Sequence, residues 1–353
     1  MSIRRGFTLI AILFIPLGSC SKNRPTLNLL VWEGYADPSF VQAFEGKYHC
    51  KVSASYMGSS DELVAKLRGG SAGNYDVISP SSDVATSIAS AGLAVPLDLA
   101  KIPAYQELSP QLTTLPLVHV KDQVYGVPFT WGPNPMIYDT TAFPQPPASW
   151  NVFWDPKYHG KISVWDDLST VYMAAQVLGF DKPSPNQLYN LSDGQLEAVK
   201  KKLLELKPNV RKMWTTGAEL TNLFQNHEIV AGMGWPLNTA DLKKVNFPVA
   251  ETIPKENTTG WIDHLMITSA SDNKDLAYKF LQYMVEAKTQ SLVSEKTHYV
   301  PANPQAAQFL KADEIKTLHL DDVDNYQKHI YFWQNVPRRA KYNQIWNEVK
   351  AAQ

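Results

Sequence analysis

Apolar residues in the first part of the chain recur with the spacings of strands and helices in turn. Short apolar-rich runs at 27–32, 51–56 and 75–79 predict strands, and the first is apolar at almost every position, as in strands buried on both faces. Between these runs, apolar residues beginning at Phe40 and at Leu63 recur with the spacing of a helix. A chain that alternates strand and helix predicts an α/β fold with a mostly parallel sheet.

The same alternation returns after a change near residue 130, where a Pro-rich loop at 143–148 follows two further strand-like runs. We interpret this change as the passage of the chain into a second lobe. Strands are predicted there and beyond at 162–165, 229–235 and 261–267. Helices are predicted at 171–179, 194–206, 274–286 and 288–295, and a last long helical stretch at about 326–350.

The first 19 residues have the layout of a secretory signal peptide. Arg4 and Arg5 precede an apolar stretch at 7–17, which is too short for a stable membrane span. The sequence Leu17-Gly18-Ser19-Cys20 resembles a lipobox, which implies cleavage before Cys20 and acylation of its sulfur. An ordinary signal peptide that happens to precede a cysteine is the alternative. We therefore expect a signal peptide at 1–19, a lipidated tether at 20–26 and an exported, membrane-anchored protein in the periplasm.

Composition narrows the function classes. The chain has 353 residues, a length that suggests roughly two domains, and 44% of the residues are hydrophobic, which is enough to form a large core. Its formal charge of −1 becomes −3 (31 Lys and Arg against 34 Asp and Glu) once residues 1–19 are removed, which favours a cationic ligand and not a nucleic acid. Only Cys20 and Cys50 are present, so no disulfide is expected if Cys20 is lipidated. The sequence has no phosphate-binding loop, no HExxH and no CxxC, so we expect neither a metal nor a cofactor.

Aromatic residues stand next to acidic residues at several predicted strand ends. A buried alkylammonium needs aromatic faces around its methylenes and carboxylates at its charged ends. Ligands of such sheets bind beyond the carboxyl ends of the strands, where these loops meet. The candidate ligand-binding residues are the aromatic Trp32, Tyr35, Trp235, Trp261 and Tyr299 and the acidic Glu33, Asp83, Asp167 and Asp263.

Other interpretations of the same residues stay open. Each tryptophan could be a core residue. A lipoprotein hydrolase could use Asp166 or Asp167 as a catalytic pair, although neighbouring carboxylates more often cap a helix. Tryptophan walls also stack on sugar rings, so a sugar-binding module is a further alternative, and a sensor without a transported ligand is another.

Several motifs in fixed order resemble the periplasmic spermidine/putrescine-binding proteins of polyamine ABC transporters, over about residues 27–350. These motifs are Trp32-Glu33-Gly34-Tyr35, 75–81, 125–132, 149–162, Trp261-Ile262-Asp263 and Trp333-Gln334. The resemblance implies a two-lobed periplasmic binding protein of type II, in which each lobe is a mixed sheet flanked by helices and the ligand lies in the cleft. It also implies a membrane permease as partner, no enzymatic activity and a monomeric protein.

The resemblance further implies lobe boundaries and residue roles. Lobe 1 would comprise 27–132 with about 264–306, and lobe 2 about 133–263 with 307–353. The aromatic candidates would form the wall of the site. Ser81 and Gln334 would supply polar contacts, and Asp167 and Asp263 would accept from ammonium groups.

The sequence departs from this family at three positions. Thr170 stands where an acidic residue is usual, Asp83 where an aromatic residue is common, and Glu33 where a small polar residue is usual. Either Glu33 or Asp83 replaces the lost carboxylate and a polyamine such as spermidine or putrescine still binds, or the ligand has a single ammonium. The first interpretation is the one we favour, because a buried charge without its partner is costly.

Overall fold

A computed structural model of the protein describes residues 24–352. The predicted signal peptide, Cys20 and most of the predicted tether lie outside the described residues. The strands are β1 (Thr26–Val31), β2 (Lys51–Tyr56), β3 (Val77–Ile78), β4 (His119–Val120), β5 (Gln123–Val124), β6 (Val127–Pro133), β7 (Met136–Asp139), β8 (Ile162–Trp165), β9 (Val210–Trp214), β10 (Ala231–Met233), β11 (Val249–Thr252), β12 (Thr258–Ile267), β13 (Val300–Pro301) and β14 (Ile330–Phe332).

Thirteen α-helices occur between Pro38 and Ala351. They are α1 (Pro38–Tyr48), α2 (Ser60–Lys66), α3 (Ser82–Ser90), α4 (Pro110–Thr113), α5 (Leu168–Val177), α6 (Asp193–Leu206), α7 (Gly217–Gln225), α8 (Pro236–Lys244), α9 (Lys274–Val285), α10 (Ala287–Thr297), α11 (Ala312–Thr317), α12 (Val323–Gln327) and α13 (Arg339–Ala351). None of the helices in residues 24–352 is both long and apolar enough to cross a membrane.

Apart from the separate two-stranded pair β4–β5, the strands form two mixed sheets, each of which is the centre of one lobe. The sheet of lobe 1 has the strand order β13-β6-β12-β3-β1-β2, and β14 pairs with β12 at its side. The sheet of lobe 2 has the order β11-β7-β10-β8-β9. In both sheets parallel pairs such as β1–β2 and β8–β9 adjoin antiparallel pairs such as β12–β6 and β10–β7. This is the predicted α/β arrangement of two sheets flanked by helices.

Local sequence explains why the first helix begins where it does. Asp37 has extended backbone, and its side chain accepts a hydrogen bond from the Ser39 amide, so it caps the first turn of α1. Phe40 and Phe44 lie one turn apart and are fully buried, which fixes the face of the helix that packs on the sheet. The predicted 3.6-residue apolar spacing thus corresponds to the buried face of α1.

The chain passes between the lobes at three places. Two residues separate β6 of lobe 1 from β7 of lobe 2, and a short loop leads from β11 back to β12. After β14 the chain crosses again, because α13 packs against α5 and α6 on lobe 2. Strand β12 belongs to the sheet of lobe 1 along its whole length, although residues up to 263 were predicted in lobe 2. The exact lobe boundaries stay a prediction.

The prediction of one long helix at about 326–350 is wrong in its first half. Residues Ile330–Phe332 form β14, which pairs in parallel with β12 at Thr258–Gly260. A run of β-branched and aromatic residues favours a strand, and Pro337 prevents a helix from continuing through the following segment. After the end of α12 at Gln327, the stretch is α-helical again only over Arg339–Ala351, and this later start places Arg339 on the first turn of α13.

Candidate functional site

A small cavity lies between the two sheets and is lined almost entirely by aromatic rings. The centre of a water-sized sphere can move through only about 10 Å³ inside it, so this closed form has room for about one water molecule between the rings. Its lining residues are Trp32, Ser81, Trp165, Trp235, Trp261, Asp263, Tyr299 and Trp333. A wall of five indoles and one phenol around one carboxylate is suited to a small cation.

The backbone of β12 places two of these side chains together. Trp261 and Asp263 are two residues apart on one strand and therefore face the same side of the sheet. Trp261 is opposite Gly132 of β6, where a side-chain carbon would come 3.0 Å from the indole ring, so the glycine leaves room for that ring. The register shifts between Asp263 and His264, so the ladder with β6 is irregular directly after Asp263 and then continues.

Asp263 is the carboxylate of the cavity and is 2% exposed. Its two oxygens accept hydrogen bonds of 2.5 Å from the Ser81 and Tyr35 hydroxyls. Tyr35 also bonds to Thr130, so it lies behind the cavity wall and orients Asp263. Burial raises the pKa of Asp263 to about 7, although the hydrogen bonds from Ser81 and Tyr35 oppose this shift.

Indole rings from both lobes meet across the cavity. The Trp32 ring, which follows β1 in lobe 1, lies 5.9 Å from the centroids of both Trp165 and Trp235 in lobe 2, edge to face. Trp165 also donates a hydrogen bond of 2.9 Å from its indole nitrogen to the Gly58 carbonyl in lobe 1. The lobes therefore touch around the cavity, which is the arrangement of a closed cleft.

Glu33 contacts the other lobe outside the cavity. Its carboxylate accepts a hydrogen bond of 3.3 Å from the Ala218 amide in the first turn of α7, where the helix dipole favours a negative charge. It lines a separate groove together with Lys296. Burial raises the pKa of Glu33, and the hydrogen bonds from the first turn of α7 partly oppose the rise. The structure thus places Glu33 between the lobes and not on the wall of the cavity.

Asp83 is likewise engaged away from the cavity. Arg339 donates to Asp83 at 2.7 Å and to the two oxygens of Asp61 at 2.8 and 3.1 Å, and the Ser60 hydroxyl donates to Asp83 at 2.9 Å. Asp61 and Asp83 lie on α2 and α3 of lobe 1, whereas Arg339 lies on α13, which packs on lobe 2. Asp83 therefore belongs to an ion pair between the lobes.

Asp167 and its neighbour Asp166 line a groove beside α13. One oxygen of Asp167 accepts from the Ser169 amide and caps α5, while its other oxygen is buried without a partner among the described residues. Burial and the nearby charge of Asp83 raise the pKa of Asp167 to about 7. Asp166 accepts hydrogen bonds from Trp346 at 2.7 Å and Lys350 at 2.8 Å. The pair thus consists of a helix cap and an ion-pair partner.

Two residues of the cavity wall, Trp165 and Trp333, were not predicted. The predicted Gln334 donates to the Phe332 carbonyl, and the preceding Trp333 lines the cavity instead. Trp165 ends β8, so its place at a strand end is the signal that could have identified it. The predicted Trp32, Ser81, Trp235, Trp261, Asp263 and Tyr299 do line the cavity. Over residues 24–352, no group of three or more His, Cys, Asp or Glu side chains could hold a metal ion.

Comparisons with known proteins identify relatives over nearly the whole chain. The family model described as bacterial extracellular solute-binding protein matches residues 39–344. The putrescine-binding periplasmic protein PotF of Escherichia coli is 27% identical over 320 residues, which cover 86% of this chain and 85% of that protein. The spermidine/putrescine-binding periplasmic protein 1 of Haemophilus influenzae is 27% identical over 331 residues, covering 93% and 89%.

A solved structure shares the fold. The spermidine/putrescine ABC transporter substrate-binding protein PotD of Streptococcus pneumoniae superimposes with a TM-score of 0.72 at 22% identity, covering 92% of this chain and 98% of that one. At this identity the likeness concerns the two-lobed fold.

Proposed function

Because the chain belongs to the family of bacterial extracellular solute-binding proteins, we propose that it binds a small organic cation between its lobes and delivers it to an ABC importer. Organic cations are the class to which polyamines belong. Putrescine and spermidine are the first ligands to test, since the relatives in E. coli and H. influenzae are named for them. Acylation at Cys20 would hold the protein at the membrane beside its permease.

The observation that carries this proposal is the buried carboxylate of Asp263 inside a box of aromatic rings. A carboxylate that is only 2% exposed lacks the stabilisation by water that its charge needs, and a bound cation supplies a counter-charge. Ring faces attract the same cation with about 0.5–2 kcal/mol each, depending on how far it is desolvated. Both features stabilise a positive ligand and give a neutral one no comparable gain.

The cavity wall is unsuited to a sugar. A sugar needs several planar hydrogen-bonding side chains around its hydroxyl groups, but Ser81 and Asp263 are the only polar side chains on the wall apart from the Tyr299 hydroxyl and indole N–H groups. Both are already bonded to each other.

Calorimetric titration of the purified protein with putrescine and spermidine tests the proposal. Asp263→Asn keeps the shape of the side chain and removes its charge, and we expect a loss of affinity of about 100-fold, because breaking a buried charge pair costs 2–5 kcal/mol. The matched control is Asp275→Asn, since Asp275 is 91% exposed on α9 and should leave the affinity unchanged.

Circular dichroism of both variants shows whether they are folded. A folded Asp263→Asn protein that binds these cations as tightly as the unchanged protein would refute the role of the cavity. If no organic cation binds the unchanged protein at all, the proposed function itself is wrong.

A further inference from the structure

The cavity offers a partner for one positive charge. Asp263 is the single carboxylate on its wall, whereas Asp61 and Asp83 lie outside the wall and are both bonded to Arg339. Arg339 is a cation that the protein itself supplies, and its side chain is 18% exposed. A second ammonium on the ligand would therefore enter the cavity without a carboxylate to pair with, which is costly for a buried charge.

The rest of the wall presents hydrogen-bond donors that lack acceptors. The indole N–H groups of Trp32, Trp261 and Trp333 are buried and have no acceptor within residues 24–352. The Trp32 N–H is near enough to the carboxylate of Asp263 to oppose the rise of its pKa, whereas those of Trp261 and Trp333 have no such neighbour. By contrast, the N–H groups of Trp165 and Trp214 donate to the carbonyl oxygens of Gly58 and Met233, both at 2.9 Å. Buried N–H groups are nearly always hydrogen-bonded, so the unpaired donors of Trp261 and Trp333 indicate a ligand that brings an acceptor.

An ammonium group cannot satisfy these indoles, because it has donors and no lone pair. A diamine would place its second donor group against donors. A carboxylate on the ligand would accept, but no Lys or Arg lines the cavity to balance its charge beside Asp263. A hydroxyl oxygen accepts from an indole and adds no charge.

From these contacts we propose that the cavity binds an amino alcohol, a cation with one charged head and a hydroxyl group at its other end, in preference to a diamine. The class includes ethanolamine and its N-methylated form, choline. The charged head would lie among the rings beside Asp263, and the hydroxyl would accept from Trp261 or Trp333. This inference rests on the proposed function, because it names the ligand of the same cavity.

The test is calorimetric titration of the purified protein with four cations: ethanolamine, choline, putrescine and n-propylamine. Propylamine has the size of ethanolamine but a methyl group in place of the hydroxyl. We expect ethanolamine or choline to bind at least tenfold more tightly than putrescine. Ethanolamine should also bind about tenfold more tightly than propylamine, because a buried donor left without an acceptor costs 1–3 kcal/mol.

Two variants locate the hydroxyl contact. Trp333→Phe and Trp261→Phe keep an aromatic ring and remove the N–H group, so at least one of them should abolish the preference for ethanolamine over propylamine while propylamine binding changes little. Trp154→Phe is the control, since the Trp154 N–H donates to the Lys202 carbonyl on the surface of lobe 2 and not into the cavity.

Putrescine binding as tightly as both amino alcohols would overturn this inference and leave the proposed function standing. An unchanged preference for ethanolamine in both variants would overturn the assignment of the hydroxyl contact. If none of the four cations binds, the inference fails, and if spermidine does not bind either, the proposed function fails with it.

Discussion

The affinity for a cation should depend strongly on pH, because burial raises the pKa of Asp263 to about 7. In the ligand-free protein this carboxyl group is mostly protonated at pH 5 and mostly charged at pH 8. A bound cation requires the charged form, so binding releases the proton, and the affinity must fall as the pH decreases. Choline and putrescine both keep their charge between pH 5 and 8, so the ligand contributes nothing to the change.

The size of the effect follows from this pKa. With a pKa of about 7 in the free protein and a much lower value in the complex, the fraction of charged Asp263 falls about 100-fold between pH 8 and pH 5. The apparent dissociation constant should rise by the same factor, with no change in the number of sites. Calorimetry in buffers of different ionisation enthalpy should detect release of about half a proton per ligand near pH 7.

Asp263→Asn provides the control, because its residual binding should not vary with pH in this range. Asp167 also has a pKa near 7, but it caps α5 and does not line the cavity. The same pH slope in the unchanged protein and in Asp263→Asn would therefore assign the effect to another group such as Asp167. An affinity that is constant from pH 5 to 8, or that increases as the pH falls, would refute the reasoning.

Three further perturbations have defined outcomes. In Gly58→Ala the new methyl group would lie 2.4 Å from the backbone oxygen of Thr215 in the other lobe, so the lobes could not close fully. Small-angle scattering should therefore show a larger radius of gyration, and titration should show a weaker affinity for the cation. The control Gly46→Ala, with no atom within 4 Å of the new methyl group, should change neither. Arg339→Met leaves two carboxylates without their cation and should lower the free energy of unfolding in urea by about 3 kcal/mol, and an unchanged urea midpoint would contradict this. The thiol of Cys50 is 1% exposed and should react with a thiol reagent only in denaturant, whereas rapid reaction of the native protein would show that the first lobe opens locally.

Much of the architecture could be predicted from the alternation of apolar runs. The two-lobed α/β fold is confirmed, and so are the resemblance to the solute-binding family and the expectation that the chain is not an enzyme. The apolar spacing of β1, α1 and β12 can be recognised from neighbouring residues alone. It predicts these elements correctly because the apolar residues are the ones that each element buries. The prediction of one helix at about 326–350 was wrong in its first half, because a stretch with helical composition contains a short aromatic run, Ile330–Phe332, that pairs with β12.

The candidate site residues likewise fall into those that local sequence predicts and those whose position depends on distant residues. Trp32 was predicted because it follows β1 directly, and a strand end points to the cleft regardless of distant partners. Asp263 was predicted near the start of a strand at 261–267, whereas it lies in the middle of the longer β12. The places of Glu33 and Asp83 depend on residues that are 185 and 256 positions away, Ala218 and Arg339. No local pattern encodes such contacts, so the sequence marked these carboxylates as candidates but could not indicate that other groups already hold them.

The contacts that hold the lobes together in residues 24–352 involve the protein's own groups, such as the ion pair of Arg339 and the hydrogen bond from Trp165 to Gly58. Every such contact stabilises the closed form whether or not cargo is present, and each 1.4 kcal/mol raises the population of closed, empty protein tenfold. Closed empty protein would compete with loaded protein for the same permease. A stronger Arg339 pair would therefore raise the affinity for a scarce ligand. It would also increase the fraction of permease occupied by closed protein that carries no ligand.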